Sequence, residues 1–234
     1  GKPLLDIAGK PMIQRVYEQA ANTSIDDIIV ATDDQRIQAC MQELGYPVCM
    51  TRTDHPSGTD RLAEVAKLLN LTEQDIIINV QGDEPLIPVA VIEQVAQLLV
   101  DNPTASIATL STPIVDVETL HNPNVVKVVA NTFGQAIYFS RAAIPWHRDS
   151  LNHQSESHIS DFPYQRHIGI YAYRAGFLND YSQWQPCQLE QTESLEQLRA
   201  IWYGHTIQVA QACQEVPEGI DTIEDLLALR SQLN

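Results

Sequence analysis

Basic residues are scarce in this sequence. It carries 14 Lys and Arg against 30 Asp and Glu, a formal net charge of −16. A field of that sign argues against nucleic acid or an anionic membrane as partner, since both attract basic surfaces. A small anionic substrate stays possible if a few cations are gathered in one place. Long apolar runs are missing too. None approaches the roughly 20 residues needed to span a bilayer, which argues against membrane insertion, and no secretory leader is visible. The four cysteines, Cys40, Cys49, Cys187 and Cys213, are widely spaced and form no CxxC pair. That leaves neither a disulfide framework nor a zinc spacing, and the expectation is reduced thiols in a cytoplasmic protein. Internal repeats and low-complexity tracts are absent.

What is present is an ordinary globular chain of 234 residues, 44% apolar. That length suits one large domain, or a domain with a smaller lobe. In the first half, strand-like and helix-like segments alternate. "DDIIVATD" (26–33) is β-branched, and "DQRIQACMQELG" (34–45) places Ile37, Cys40, Met41 and Leu44 at helical spacing before a Gly stop. "PVCM" is a brief strand and "SGTDRLAEVAKLLN" a helix. "DIIINV" is apolar on both faces, as in a buried parallel strand, and "PVAVIEQVAQLLV" opens a helix with Pro in its first turn. Such alternation predicts an α/β fold with a central, mainly parallel mixed sheet flanked by helices. In the second half "SIATLST", "NVVKVVA", "QAIYFSR" and "RHIGIYAYR" predict mixed or antiparallel pairing. "LEQLRAIWY" reads as a helix, "IQVAQA" as a strand and "DTIEDLLALRSQL" as the last helix.

Ligands of open α/β sheets bind beyond the carboxyl ends of the strands. Three polar clusters fall there: "ATDD", "TRTDHPSGTDR" and "QGDEP". Ser57-Gly58-Thr59 at a helix start reads either as an N-cap or as a set of backbone N–H groups for an anion, with Arg61 in the first turn. Asp83 follows a Gly and reads either as a turn residue or as a ligand for a hard cation such as Mg²⁺. Asp221 reads as a helix cap or a second such carboxylate. Lys2, beside Gly1, is a frayed terminus or a point charge for phosphate. Residues 146–165 are polar and aperiodic; they contain His147, His153 and His158 but no compact ligand spacing, so they read as a solvated loop.

Together these stretches resemble the cytidylyltransferases that activate 3-deoxy-D-manno-octulosonate (KDO). The resemblance is carried by "GKPLLDIAGKPMI", "IIVATD", "VCMTRTDHPSGTDRLAEV", "INVQGDEPLIP", "NPNVVKVV", "YFSRAAIPW", "RHIGIYAYRAGF", "LEQLRAIWYG" and "CQEVPEGIDTIEDL", which run from residue 1 to the last helix. It implies a Rossmann-like nucleotidyltransferase fold. About 1–112 and 185–234 would form the nucleotide-binding core, and about 113–184 a β-rich part for sugar binding and dimerisation. The implied reaction joins CTP and KDO into CMP-KDO and pyrophosphate, with Mg²⁺, for lipopolysaccharide assembly. A cytoplasmic homodimer is implied, with "NVVKVVA…QAIYFSR" as contact region.

Carried over position by position, the resemblance implies that Lys2 touches the CTP phosphates, and that Ser57, Gly58 and Arg61 hold the cytidine part. Gln81 and Asp83 would stand at the reacting centre, with Asp83 and Asp221 on Mg²⁺. Arg141, Arg148, His167, Tyr171, Glu196 and Gln197 would bind the acid sugar. That set suits its chemistry, Arg for a carboxylate and the others for hydroxyls. Glu84, held extended before Pro85, is assigned a structural role.

The chain departs from the family pattern in places. The family opens with a strand and a loop P-A-R-x-x-S-x-R-L-P that ends at G-K-P, whereas this chain begins at that Gly. The expectation is that the natural protein has both. "SGTD" stands where the family usually carries Glu. Two other readings stay open: activation of a related acid sugar (8-amino-KDO or sialic acid), and a fragment that binds without turnover.

Overall fold

The computed structural model describes residues 1–148, 162–217, 219–220 and 222–233. After a 3-10 turn at Lys2–Leu4, β1 (Asp6–Ile7) and β2 (Lys10–Pro11) form a minimal antiparallel hairpin. Ala8 and Gly9 at its turn both take positive φ, the geometry of tight hairpin turns. There follow α1 (Met12–Ala21), β3 (Val30–Thr32), α2 (Gln35–Glu43), β4 (Val48–Met50), α3 (Gly58–Leu68), β5 (Ile76–Asn79) and α4 (Val89–Asp101). Side chains set the helix starts. Asp34 accepts the Arg36 amide before α2, Ser57 accepts the Asp60 amide before α3, and Pro88 precedes α4.

The second half is built from β6 (Ile107–Pro113), α5 (Val117–His121), β7 (Lys127–Ala130), β8 (Ala136–Ser140), β9 (Gln165–Arg174), α6 (Ala175–Tyr181), α7 (Gln188–Glu193), α8 (Gln197–Trp202), β10 (Ile207–Gln211) and α9 (Ile223–Leu233). The main sheet runs β10-β6-β9-β7-β8, and β5 also pairs with β9. The long β9 is its hub. Gln165–Tyr173 pair with β6 along one edge; on the other, Tyr171–Arg174 take β5, while Gln165 and Arg166 take β7. One strand thus joins the expected nucleotide core to the hairpin of the 113–184 part.

The sheet is mixed. β10–β6 and the separate pair β3–β4 are parallel, whereas β5–β9, β6–β9, β7–β9 and β7–β8 are antiparallel. β5 therefore differs from the buried parallel strand expected of "DIIINV". All four of its residues are half-buried, and its partner β9 returns from the second half in the opposite direction. The strand expected over 26–33 is assigned only at Val30–Thr32, because the β4 ladder is three residues long.

The period-2 alternation of β9 feeds two cores. Ile168, Ile170 and Ala172 pack with Val91, Ile92, Val95 and Leu99 of α4 on one face. Tyr171 and Tyr173 pack with Ala63, Phe177, Leu178 and Leu198 of α3, α6 and α8 on the other. The result is helix, sheet and helix in three layers. No helix among the described residues is long and apolar enough to cross a membrane.

Candidate active site

Two strand ends and the start of α3 meet at Arg61. From the first turn of α3, its guanidinium donates to the Asp33 carboxylate after β3 (Nη2–Oδ2, 3.0 Å) and to Thr51 Oγ1 after β4 (Nη1–Oγ1, 3.0 Å). The Arg61 hydrogen bond holds the Asp33 carboxyl below the usual carboxylate range. Sequence reading had marked "ATDD" and "SGTDR" separately. Their joining through Arg61 is a tertiary fact.

A broad cleft lies between β3 and β5, lined in large part by apolar residues such as Ile28, Ile76, Ile78 and Ile92, with polar residues among them. Of the residues expected in the site, Lys2, Gly58, Arg61, Gln81, Asp83, Tyr171 and Glu196 line it. They come from the first turn of the chain, α3, the β5 end, β9 and the residue before α8. Lys2 Nζ lies 2.9 Å from Asp83 Oδ2, with the two side chains 35% and 29% exposed. At that exposure the pair contributes little stability. It does fix a cation beside a carboxylate in the lining of the cleft.

The Asp83 carbonyl accepts the Ile220 amide at 2.9 Å, and a Cβ on Gly219 would meet the same oxygen at 3.3 Å. Residues 219 and 220, just before Asp221, are therefore held against Asp83. Asp221 itself lies outside the described residues. Among the described residues no group of three or more His, Cys, Asp or Glu could hold a metal. The donor chemistry at Asp83 suits a hard cation that takes one or two carboxylates and fills its remaining positions with phosphate oxygens and water.

Gln81 is held by Gly169. Its Nε2 donates to the Gly169 carbonyl (3.1 Å), and a Cβ on Gly169 would lie 2.7 Å from that nitrogen. Gly169→Ala is therefore expected to push the Gln81 amide aside and lower kcat/KM by about tenfold, with Tm nearly unchanged. Unchanged kinetics would show that Gln81 does not need this seat. Sequence reading missed Gly169; a Gly inside a strand pattern, marking a close approach, was the available signal.

His167 packs edge-on against Phe139 and beside Tyr171. Burial pushes its imidazole down to about 3. Thr109 Oγ1 donates to the Ile170 carbonyl at 2.8 Å and so accepts Nε2–H from His167 at 3.0 Å. The neutral ring keeps Nδ1 as an acceptor, a partner for a hydroxyl rather than for a carboxylate.

A pH effect follows. The unfolded imidazole protonates near 6.5 and the folded one near 3, so between those values the unfolded state binds more protons. Stability from the neutral ring is complete above pH 6.5 and is lost as pH falls toward 3. In urea titrations from pH 7 to 4, wild type should lose up to about 1.4 kcal/mol per pH unit more than His167→Gln. Parallel curves would contradict this.

The remaining expected residues are placed differently. The Tyr171 hydroxyl is kept protonated by burial, which pushes it well above the ordinary phenol range. Gln197 is buried at the start of α8. Ser57 caps α3 and is held by Asp60 (Oγ–Oδ2, 2.6 Å). Arg141 donates to three backbone carbonyls: Glu193 (2.7 Å), Pro123 (3.0 Å) and Ser194 (3.4 Å). Its guanidinium thus ties the β8 end to α7 and to the loop before β7. Arg148 is exposed at the edge of the described segment, and His153 and His158 lie outside it.

A three-layer α/β fold whose strand ends gather a lysine, an aspartate and a helix N-terminus around an open cleft is that of a nucleotidyltransferase. Residues 1–207 match the family described as "Cytidylyltransferase", and the chain belongs to that family. It is 58% identical over 233 residues to a 3-deoxy-manno-octulosonate cytidylyltransferase of Pseudomonas fluorescens, covering 100% of this chain and 92% of that protein. It is 55% identical to the protein of the same name from Aeromonas hydrophila subsp. hydrophila, with the same coverage. Among solved structures, a CMP:2-keto-3-deoxy-manno-octonic acid synthetase complexed with CTP superposes with a TM-score of 0.89 at 43% identity, covering 100% of this chain and 91% of that one. A 4-diphosphocytidyl-2C-methyl-D-erythritol synthase, at 16% identity and a TM-score of 0.60 over 100% of this chain and 95% of that one, shares the fold alone.

Proposed function

We propose that the chain transfers the cytidylyl group of CTP to the anomeric hydroxyl of KDO, releasing pyrophosphate and supplying CMP-KDO for lipopolysaccharide assembly in the cytoplasm. The observation that carries this reading is the Lys2–Asp83 pair at the β5 end, lining one cleft with Gln81, Tyr171 and Glu196. In the reaction the anomeric oxygen bonds to the α-phosphorus, and the α–β phosphoanhydride bond breaks. Pyrophosphate departs with that electron pair, and the hydroxyl proton passes to solvent. Such a transfer asks a protein for alignment and charge neutralisation more than for covalent help.

The residues divide that work. Lys2 offers a point charge to the phosphates, and the first turn of α3, with Gly58 and Arg61, faces the nucleotide. Tyr171 and Glu196 line the sugar side, and His167 offers Nδ1 to a hydroxyl. Asp83 and Asp221 would hold Mg²⁺, which when bound neutralises phosphate charge and lowers the pKa of a nearby hydroxyl. Burial makes the neutral His167 ring a weak base, so it is assigned to hydrogen bonding rather than to proton abstraction.

The deciding assay is pyrophosphate release with CTP, Mg²⁺ and KDO, beside parallel reactions with 8-amino-KDO and sialic acid. Preference for either competitor would replace the sugar in this reading. Silence with all three would leave only binding. The proposal extends to a homodimer through the β7–β8 hairpin. β8 is the edge of the main sheet, and Phe133 (78%) and Ile137 (56%) are exposed there. A monomer mass by light scattering would remove that part.

A further inference from the structure

One buried cation has no part in the reaction just described. Arg199, one turn along α8 from Glu196, is 2% exposed. Its Nε donates to Glu190 Oε2 of α7 at 2.7 Å, and its Nη2 donates to the other oxygen of the same carboxylate. Nη1 lies 3.9 Å from Asp60 Oδ1 in the first turn of α3. The guanidinium also sits 4.2 Å from the ring centroid of Tyr181 in α6. A single planar group therefore ties α8 to α3, α6 and α7.

The tie bears on the cleft. Asp60 holds the Ser57 hydroxyl, and Glu196 Oε2 accepts the Thr59 amide at a long 3.4 Å. A Cβ on Gly58 would lie 3.9 Å from Glu196 Oε1. Gly58 and Glu196, both in the cleft wall, thus face each other across a gap that no short hydrogen bond closes. Three carboxylates, Asp60, Glu190 and Glu196, crowd this corner, and without a cation between them they repel. α8 is only six residues long, whereas α3 has eleven. The short helix is the one to move.

We propose that Arg199 is a positioning residue: it holds α8 against the N-terminus of α3, and so sets Glu196 at its distance from Gly58 in the cleft wall. A bidentate, stacked guanidinium does this where an ammonium cannot. The kinetic half of the test rests on the proposed reaction; the exchange half does not.

Three proteins are compared: wild type, Arg199→Met, and Arg199→Met combined with Glu190→Met. The single variant leaves the partly buried Glu190 carboxylate with only the Cys187 amide (3.2 Å) as partner and should lose stability. The double variant removes both charges together and should regain part of it, less the contribution of the Glu190 cap at the start of α7. The double variant is nevertheless expected to show a KM for KDO raised by about tenfold or more, with KM for CTP within about threefold of wild type. The Thr59 amide should exchange with deuterium about tenfold faster than in wild type, with the later turns of α3 unchanged. A double variant that recovers Tm, sugar KM and Thr59 protection together would show Arg199 to be merely structural and overturn the proposal. If wild type itself releases no pyrophosphate from CTP and KDO, the reaction is wrong. The Thr59 exchange then decides the role of Arg199 alone.

Discussion

Asp83→Asn is expected to lower kcat roughly 10²–10³-fold in pyrophosphate release with CTP, KDO and Mg²⁺, the loss of several kcal/mol of charge stabilisation at the phosphates. The substitution keeps the shape and removes the charge. Its folding cost is small, because the ion pair with Lys2 is about one third exposed on each side and solvent screens it. The backbone contact from Ile220 uses the Asp83 carbonyl and is untouched. Activity and stability should therefore separate, with Tm held and turnover lost. Near-normal turnover of the variant would remove Asp83 from the reacting centre, and with it the assignment of Mg²⁺ to this carboxylate. Raising Mg²⁺ should restore part of the rate if the defect is occupancy rather than alignment.

The second large effect is on folding. Lys127 in β7 is fully buried, and its ammonium donates to the carbonyls of Asn122 (2.9 Å), Val125 (2.5 Å) and Arg141 (2.5 Å). Burial pushes its pKa down, opposed by the nearby Glu193 carboxylate. Lys127→Met fills similar volume but takes the ammonium from the Val125 and Arg141 carbonyls, while that of Asn122 keeps the Val125 amide (3.1 Å). The expected cost is about 3–5 kcal/mol. At about 2–4 °C per kcal/mol for a domain of this size, Tm falls by roughly 6–20 °C. A melting curve within about 2 °C of wild type would show the carbonyls to be satisfied otherwise. Because one of them belongs to Arg141, whose guanidinium in turn anchors α7 and Ser194, the damage should spread through the 113–184 part before it reaches β5.

Lys127 also shows where sequence reading stops. In "NVVKVVA" it looks like the polar break in an apolar strand, and nothing in the pattern says that the turn before β7 and the end of β8 will both bring carbonyls to it. Asp33 and Thr51 are similar: polar residues at strand ends until Arg61 reaches both. The same limit applies to Arg141. The motif "FSRA" suggested a carboxylate partner, whereas its donors meet backbone oxygens from two other segments. Glu84, assigned a structural role from its place before Pro85, stands in a turn where its amide donates to the Gln81 carbonyl (3.2 Å).

The sequence alone determined what local physics and composition control. Strand and helix alternation, the caps at Asp34 and Ser57 and the Pro before α4 are short-range properties of the chain. So is the acidic balance. The strand-end motifs follow because an α/β sheet always offers its ligands the same edge. Only the tertiary structure decided how β9 divides one edge between β5 and β7, that Arg61 joins two strand ends, and that Arg199 pins α8 to α3. Those depend on contacts between residues from ten to more than a hundred positions apart. Hydrophobic periodicity carries no information about which distant partner a strand edge or a buried charge will find.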